Sequence, residues 1–425
     1  MFNILIIGSG GREHAIAKSI SKSQLPHQIF ALPGNPGIAT FAILLTSSIQ
    51  DFTAIIDHIH NHKIHIVICG PEAPLAEGLM DFILAKMGED APILIGPKQF
   101  AAQLESSKNF AKEFMQRHQI PTAAYQKFTI ENLQEGIQFI DQLNIPIVLK
   151  ADGLAAGKGV LICQEKAEAK KELEKMLQGK FGSASKLVVI EEFLKGIEFS
   201  VFVLTDGEDY VLLPEAKDYK RIGEGDTGLN TGGMGAISPV SFFNDELKEK
   251  VISKIIEPTI QGLKKEKIDY YGFLFFGLIV VDGEPFVIEY NVRMGDPESE
   301  SVFSRIDSDL LDLFLRCRSH GLASAEMKIN PNYCTTIILA SGGYPEDFEK
   351  SKKLLIPSMD DPNVTVFHCG TKVESNTLVS NGGRVLAISA MGQSKEIALQ
   401  RCRHLATEIQ YEGKYYRRDI GFDVN

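Results

Sequence analysis

Short apolar runs alternate with stretches of helical period along the first hundred residues. FNILIIGSGG (residues 2–11) reads as a buried strand ending in glycines, and REHAIAKSISKS after it reads as a helix. QIFALPG, HIVICGPEAPL and PILIGP are further strands, each ending in Gly or Pro. Strands alternating with helices predict a doubly wound parallel sheet, with functional loops at the carboxyl ends of its strands.

The rhythm changes near residue 104. SSKNFAKEFMQRHQIP predicts a helix that Ser106 or Ser107 can cap, ending before Pro121. A small β-rich unit follows: IPIVLKADG, the glycine loop leading into GVLIC, the helix EKAEAKKELEKMLQG, and KLVVIEEFL. Then come EFSVFVLTDG and DYVLLPEA as strands, the glycine-rich GEGDTGLNTGGMGAISP, a helix over 245–265, and paired strands in GFLFFGLIVVDGEPFVIEYN. A Pro/Gly break near 330–332 opens a last, β-rich unit with strands TTIILASGG, VTVFHCGTK and GGRVLAISA and the helix SKEIALQRCRHLATEIQ. The expected domains are therefore 1–103, 104–330 (with a smaller subdomain at about 124–195) and 331–425. No low-complexity linker and no repeat of 20–50 residues interrupts them.

Composition narrows the class. At 425 residues, 44% hydrophobic and 23% charged, the chain has the balance of a multidomain globular enzyme. A formal charge of −11 argues against a general nucleic-acid surface but leaves room for a local cationic pocket. The six cysteines form no CxxC pair, so they signal neither zinc nor a disulfide framework and read as buried thiols of a reducing, cytoplasmic protein. The start lacks a basic segment and a cleavage pattern, so it reads as a strand and not a signal peptide, and both ends are expected to be complete. The most apolar run, 273–281, is far too short to cross a membrane.

Two segments carry chemistry. KADGLAAGKGV (150–160) looks like a phosphate loop, but its glycines stand too close for GxxxxGK and Lys158 is followed by Gly159 instead of Ser or Thr. In VIEYNVRMGDPESE (287–300), a strand would put Glu289 and Asn291 on one face, with Arg293 continuing that face. A carboxylate and an amide oxygen are hard ligands suited to Mg²⁺ on phosphates, and the guanidinium would neutralise a phosphoryl group in transfer. The alternative is an edge strand with a solvated polar face.

GSGGREHAIA, ALPGNPG, GPEAPL, LESSK, KADGLAAGKGV, IEEFLKGIE, DTGLNTGGMGA, EYNVRMGDPE and HCGTK/NGGRVL occur in this order from end to end. The ordered set resembles the phosphoribosylamine–glycine ligase family of ATP-grasp enzymes. The resemblance implies an N-terminal Rossmann-like domain, an ATP-grasp core of two α+β subdomains and a small C-terminal β-rich domain. It implies ATP-dependent joining of glycine to 5-phosphoribosylamine through glycyl phosphate, in purine biosynthesis, by an enzyme expected to be monomeric with no nucleic-acid or membrane partner. Lys108, Lys150 and the loop with Gly153, Gly157, Lys158 and Gly159 would serve the ATP phosphates. The backbone of Glu191, Glu192, Phe193 and Leu194 would bind adenine, and Glu198 the ribose. Mg²⁺ or Mn²⁺ would sit on Glu289 and Asn291, needing water or another residue, because GFLFFGLIVV lacks the carboxylate many ATP-grasp enzymes carry there. Gly10, Gly11, Asn35, Glu72, Thr231, Gly232, Gly233, Met234, Gly235 and Gly295 would form the phosphoribosylamine pocket. Arg293, Lys220 and Asp296 would assist the chemistry.

The sequence departs from the family at Tyr219 (commonly His), Leu229 (Pro), Val292 and Met294 (Cys and Phe), and Glu300 (Gln). Tyr219 would alter glycine or phosphate binding, and Glu300, pointing inward, would bring negative charge near the active loop. GSGGRE also invites a dinucleotide reading, but Glu13 occupies the third-glycine position, and the second strand ends without a ribose-binding acid. The histidines 58, 60, 62 and 65 lack metal-ligand spacing and read as a solvated turn. Lys372 and Arg384 divide between hairpin chemistry and ligand contact. Two other functions are weighed: an ATP-grasp carboxylase or formate-using enzyme, and a non-catalytic ATP sensor.

Overall fold

The computed structural model describes residues 1–155 and 159–424. β1 (Phe2–Gly8), β2 (His27–Pro33), β3 (Ala42–Leu44), β4 (Ile66–Cys69) and β5 (Ile93–Ile95) form a parallel sheet ordered β3-β2-β1-β4-β5. Ile4 to Ile7 are fully buried because both faces of a parallel sheet are covered, which is why β1 reads as an unbroken apolar run. β3, with Ile43 and Leu44 exposed, is too short and too open to read from the pattern. Strand order reverses between β1 and β4, so the glycines after β1 and the Gly70–Glu72 segment after β4 flank one crevice.

The next unit is an antiparallel sheet of β6 (Tyr125–Phe128), β7 (Ile147–Ala151), β8 (Val160–Cys163) and β9 (Val188–Glu192), ordered β6-β9-β7-β8. Helices Leu133–Gln142 and Lys166–Leu177 cover one face and share a separate core of Phe128, Ile140, Leu149, Leu173 and Ile190. β10 (Ile197–Thr205) and β11 (Tyr210–Leu212) start a second sheet. The chain then makes β12 (Lys217–Asp218), the hairpin β13 (Arg221–Gly223) and β14 (Thr227–Asn230), and β15 (Gly235–Ser238). The expected helix over 245–265 widens to a π-turn at Ile252–Ile256, just before Pro258, whose ring cannot supply the N–H of a regular α-turn. β16 (Gly272–Val281) and β17 (Glu284–Asn291) complete the sheet β11-β10-β16-β17.

β18 (Tyr333–Ala340), β19 (Val364–His368), the hairpin β20 (Thr371–Glu374) and β21 (Thr377–Ser380), and β22 (Arg384–Gly392) follow. The last sheet runs β12-β15-β18-β22-β19, so it recruits two strands from residues 217–238. That exchange, which local pattern does not reveal, fastens the Thr231–Gly235 turn between the central and terminal parts of the chain. Core is shared elsewhere too: one apolar cluster runs from Leu5 and Ile7 of β1 through Phe114 to Phe276 and Tyr290.

Glu13 is the internal fastening of the crevice. Its carboxylate accepts from the Gly10 N–H at 2.6 Å and from Arg12 Nε at 2.7 Å. It fits only because Gly8 and Gly70 have no side chains; a Cβ on Gly70 would lie 1.8 Å from Glu13 Oε1. Gly70→Ala is therefore expected to expel the Glu13 carboxylate and destabilise the protein by about 1–3 kcal/mol, as overpacking does. A thermal unfolding midpoint equal to that of the unchanged protein would refute this account of the crevice.

Candidate active site

β17 does not alternate simply. Gly277 of β16 pairs with Glu289 while its neighbour Leu278 pairs with Val287, so Ile288 is an extra residue, a β-bulge. Val287 and Tyr290 are both fully buried although three positions apart. Without the bulge, Glu289 and Asn291 would share the core-facing side of Val287; the extra residue turns them to the opposite side. Tyr290 is fixed inside by a hydroxyl contact with Thr259 at 2.9 Å. The freed Ile288 carbonyl accepts from Lys150 Nζ at 3.3 Å.

The face so produced is a cleft of paired charges. Arg293 donates to Asn291 Oδ1 at 3.2 Å and to Glu105 Oε1 at 2.8 Å, with Glu72 at 3.8 Å from its Nε. Lys108 Nζ lies 3.8 Å from Glu289. Lys220 meets Glu198 at 3.1 Å. Lys150 and Lys112 converge on Glu191 at 2.9 and 3.1 Å, all three side chains being buried. Burial works to raise the pKa of Glu289, but Lys108, Lys220, Lys150 and Arg293 outweigh it and bring it down to about 2. Burial opposes the charge of Glu72 as well, and Arg293 and Arg12 hold it below the usual range. Glu298, in contrast, is lifted to about 7 by burial and the neighbouring Asp218. Asp218 and Glu198 raise Lys220 well above an ordinary lysine.

The donor set fits a divalent cation that arrives with a polyphosphate. Glu289 is held ionised, and the Asn291 amide oxygen faces the same cleft. Opposite Glu289, Gly277 supplies no carboxylate; a Cβ there would come within 3.1 Å of Glu289 Cγ. Among the described residues no three His, Cys, Asp or Glu side chains gather as a cage. Mg²⁺ commonly takes one or two protein oxygens and completes its shell with phosphates and water.

Several sequence expectations resolve differently. Asn35 is buried with its side chain spent on the chain itself: Nδ2 donates to the carbonyls of Ser9 and His368, and Oδ1 accepts from Gly37 and Ile38. It shapes the crevice and offers no group to a ligand. Gly10 has given its N–H to Glu13, and Arg12 N–H faces Asp296 Oδ2 at 3.4 Å, so carboxylates already sit at the start of the first helix, Gly11–Ile20. Tyr219 points away from the cleft into the terminal core, donating to Asp423 at 2.8 Å, because alternation in the β12 segment buries it. Met234 is wholly in the core. Gly157 and Lys158 lie outside the described residues.

Other positions fall at the cleft rim. Glu192 accepts from the Ala124 N–H, Phe193 is exposed on the connection from β9 to β10, and Glu198 is exposed at the start of β10. Thr231 braces its turn, accepting from Gly233 N–H and donating to the Lys220 carbonyl. Gly295 leaves space for Glu298, whose carboxyl carbon would lie 2.6 Å from a Cβ there. Arg384 reaches the site, 3.0 Å from Asp296 Oδ1 and donating to the Gly232 carbonyl at 2.7 Å, whereas Lys372 pairs with Glu374 on the outer hairpin. The sequence reading gave no role to Glu105, Lys112, Asp218 or Glu298. Glu105 and Glu298 stand in quoted motifs, but only the folded distances show these charges meeting.

A cleft between two antiparallel sheets, with an acid and an amide on one wall and lysines on the other, defines an ATP-grasp enzyme. Three family profiles match in chain order: the phosphoribosylglycinamide synthetase N domain over 2–105, its ATP-grasp (A) domain over 106–299 and its C domain over 334–423. The chain is 42% identical to the phosphoribosylamine–glycine ligases of Vibrio vulnificus and Haemophilus influenzae, covering 99% of this chain and 98% of each relative. A bifunctional purine biosynthetic protein of Pichia angusta is equally similar, but the chain spans only 53% of it. The crystal structure of a Thermotoga maritima phosphoribosylamine–glycine ligase superposes with a TM-score of 0.84 at 33% identity, over 98% of this chain and 99% of that one. A Campylobacter jejuni biotin carboxylase shares the fold at 14% identity and a TM-score of 0.74, over 98% and 93% of the two chains. The chain belongs to the phosphoribosylglycinamide synthetase family.

The Lys150–Glu191–Lys112 group is a buried fastening between the sheet of β7 and β9 and the helix Lys108–Arg117. Burial pushes Lys112 down to about 8 even with Glu191 beside it. Removing the shared carboxylate charge in Glu191→Gln leaves two buried ammonium groups facing each other, and about 3–5 kcal/mol of stability should be lost. Thermal or denaturant unfolding reads this directly, and an unchanged midpoint would show that the lysines have another counter-charge.

Proposed function

We propose that this protein joins glycine to 5-phosphoribosylamine with hydrolysis of ATP to ADP and phosphate, yielding glycinamide ribonucleotide for purine biosynthesis. The observation that carries the reading is the Glu289–Asn291–Arg293 face opposed by Lys108, Lys150 and Lys220, in a chain related over its whole length to phosphoribosylamine–glycine ligases.

The chemistry is acyl activation followed by amine attack. The glycine carboxylate attacks the γ-phosphorus of ATP, and the amine of phosphoribosylamine then displaces phosphate from the acyl carbon. Charge stabilisation and positioning dominate such a sequence. Lys150 has committed two of its three N–H donors, to Glu191 and the Ile288 carbonyl, and the third is assigned to a phosphate oxygen. Lys108 stands beyond hydrogen-bond distance of Glu289 and is assigned to the phosphates as well. Arg293, oriented by Glu105, is assigned to the phosphoryl group in transfer. Glu289 and Asn291 would hold Mg²⁺ or Mn²⁺, which when bound neutralises charge on neighbouring phosphate oxygens. The connection from Glu191 to Glu198 is assigned to the nucleoside, and the loop over residues 153–159 to the exclusion of water, since an acyl phosphate hydrolyses. The crevice between β1 and β4, with Gly11, Glu72, Gly295, Asp296 and the Thr231–Gly235 turn, is assigned to phosphoribosylamine.

No helix among the described residues is long and apolar enough to cross a membrane, consistent with small phosphorylated substrates met in the cytoplasm.

Coupled ADP detection with glycine and freshly made phosphoribosylamine tests the assignment: omission of either substrate is expected to abolish ADP formation. Equal ADP formation with bicarbonate replacing glycine would favour a carboxylase. Glu289→Ala is expected to reduce kcat by about a hundredfold or more, the scale of losing one electrostatic contact to a transferring group. Full activity in that variant would refute the metal role of Glu289.

A further inference from the structure

The short helix Glu298–Val302 carries Glu300 into the junction of three parts of the chain. Gly11 of the first helix lies on one side, and Cys369 and Arg384 of the terminal part on the other. The side chain is fully buried, and neither carboxyl oxygen has a hydrogen-bond partner among the described residues. The fit is tight: a Cβ on Gly11 would stand 2.0 Å from Glu300 Oε1 and 2.9 Å from Cys369 Sγ. A carboxylate anion needs hydrogen bonds in place of the water it has lost, and this position supplies none.

The surrounding charges do not supply the want. Arg384 is the cation at hand, but it is engaged with the Asp296 carboxylate at 3.0 Å and with the carbonyls of Gly232 and Asp296 at 2.7 Å. On the first helix Arg12 is turned to Glu13 and the Met294 carbonyl, and the neutral ring of His14 accepts from the His368 N–H. The remaining neighbours, Asp296 and Glu298, are acids, and Cys369 adds a thiol. Burial first, then Asp296, raise the Glu300 carboxyl well above the ordinary range, against the pull of its own backbone N–H and of Arg384.

We propose that Glu300 is a positioning residue held as the neutral acid, whose proton keeps Arg384 on Asp296 and Gly232 and spares the phosphoribosylamine crevice an adjoining negative charge. The idea rests on the assignment of that crevice to the phosphorylated substrate. Ionised, Glu300 would compete with Asp296 for Arg384 and repel a phosphate group across Gly11. A glutamine has the same shape and cannot ionise, so Glu300→Gln retains the positioning and removes its dependence on pH.

Two measurements on the full chain test this. The first is thermal unfolding without substrates between pH 5 and 9. A carboxyl whose pKa is higher in the folded state contributes stability fully present below its unfolded value near 4.5, which is lost as pH rises through the folded value. Glu300→Gln should therefore unfold at a progressively higher temperature than the parent as pH rises, the two converging near pH 5. A constant difference, or a variant less stable at every pH, would overturn the proposal; if the glutamine variant does not fold, Glu300→Leu serves the same comparison. The second is KM for phosphoribosylamine. It should rise toward pH 9 in the parent and stay level in Glu300→Gln, opening a gap of roughly tenfold, the scale of one nearby like charge, with kcat and KM for ATP running parallel. Parallel KM profiles together with parallel unfolding profiles would overturn it; parallel KM profiles with a widening unfolding gap mean that the acid stays neutral through pH 9, as proposed. Absence of glycine-dependent ADP formation in both proteins at every pH would instead count against the proposed function, while the unfolding comparison still decides the state of Glu300.

Discussion

The site depends on one added residue in β17. A strand has a period of two, so a slip by one position exchanges its inner and outer faces. Val287 and Tyr290 both have to be inside, the first beneath the 121–122 segment and the second against Thr259. The bulge at Ile288 reconciles them and, as its consequence, delivers Glu289 and Asn291 to the cleft. It also turns a main-chain carbonyl toward Lys150, so one irregularity sets both the oxygen pair and a cation across from it. Gly277 completes the arrangement by leaving Glu289 room on the neighbouring strand.

Around that face, cations are held against carboxylates before any ligand enters. Lys150 and Lys112 have Glu191, Lys220 has Glu198, Arg293 has Glu105 and Lys108 faces Glu289. A cluster of unpaired ammonium groups would repel itself and resist burial; pairing holds the side chains in place while leaving lysine donors over for a polyphosphate. Arg293 shows the geometric value of this. Glu105 comes from the helix before Ser107 and also accepts from the Val292 N–H, so it fixes both the guanidinium and the backbone that carries it.

Features that are local in sequence were legible and those made by long-range packing were not. The apolar runs of β1 and β4 announced buried parallel strands, and Ser107 marked the helix it caps through the Phe110 N–H. The pairing of Glu289 with Asn291 followed from spacing two apart, but the side they face did not, because a bulge has no reliable sequence signal. Nor could the joining of β12 and β15 to β18 be foreseen from strands of two and four residues. That joining decides Tyr219: standing where the family commonly has His, it was expected to alter glycine or phosphate binding, yet the sheet directs it to Asp423. Lys112 had no assigned role in the sequence, and only its distance to Glu191 shows it inside.

The first helix shows why a fold does not fix a function. A parallel sheet whose order reverses beside a glycine-rich turn is the usual setting for a dinucleotide pyrophosphate on a helix N-terminus. Here Glu13 fills the space that Gly8 and Gly70 leave, and it takes the Gly10 N–H that a pyrophosphate would need. Asp296, from the central part of the chain, faces the Arg12 N–H in the first turn of the same helix and is met by Arg384 from the terminal part. The helix end is thereby converted from an open anion site into a joint between three segments. On the proposed assignment, a phosphate there would meet side-chain guanidinium groups and the remaining main-chain donors. With Glu13 in that place the helix end has no room for a dinucleotide pyrophosphate, which agrees with the proposed assignment of the crevice to a sugar phosphate.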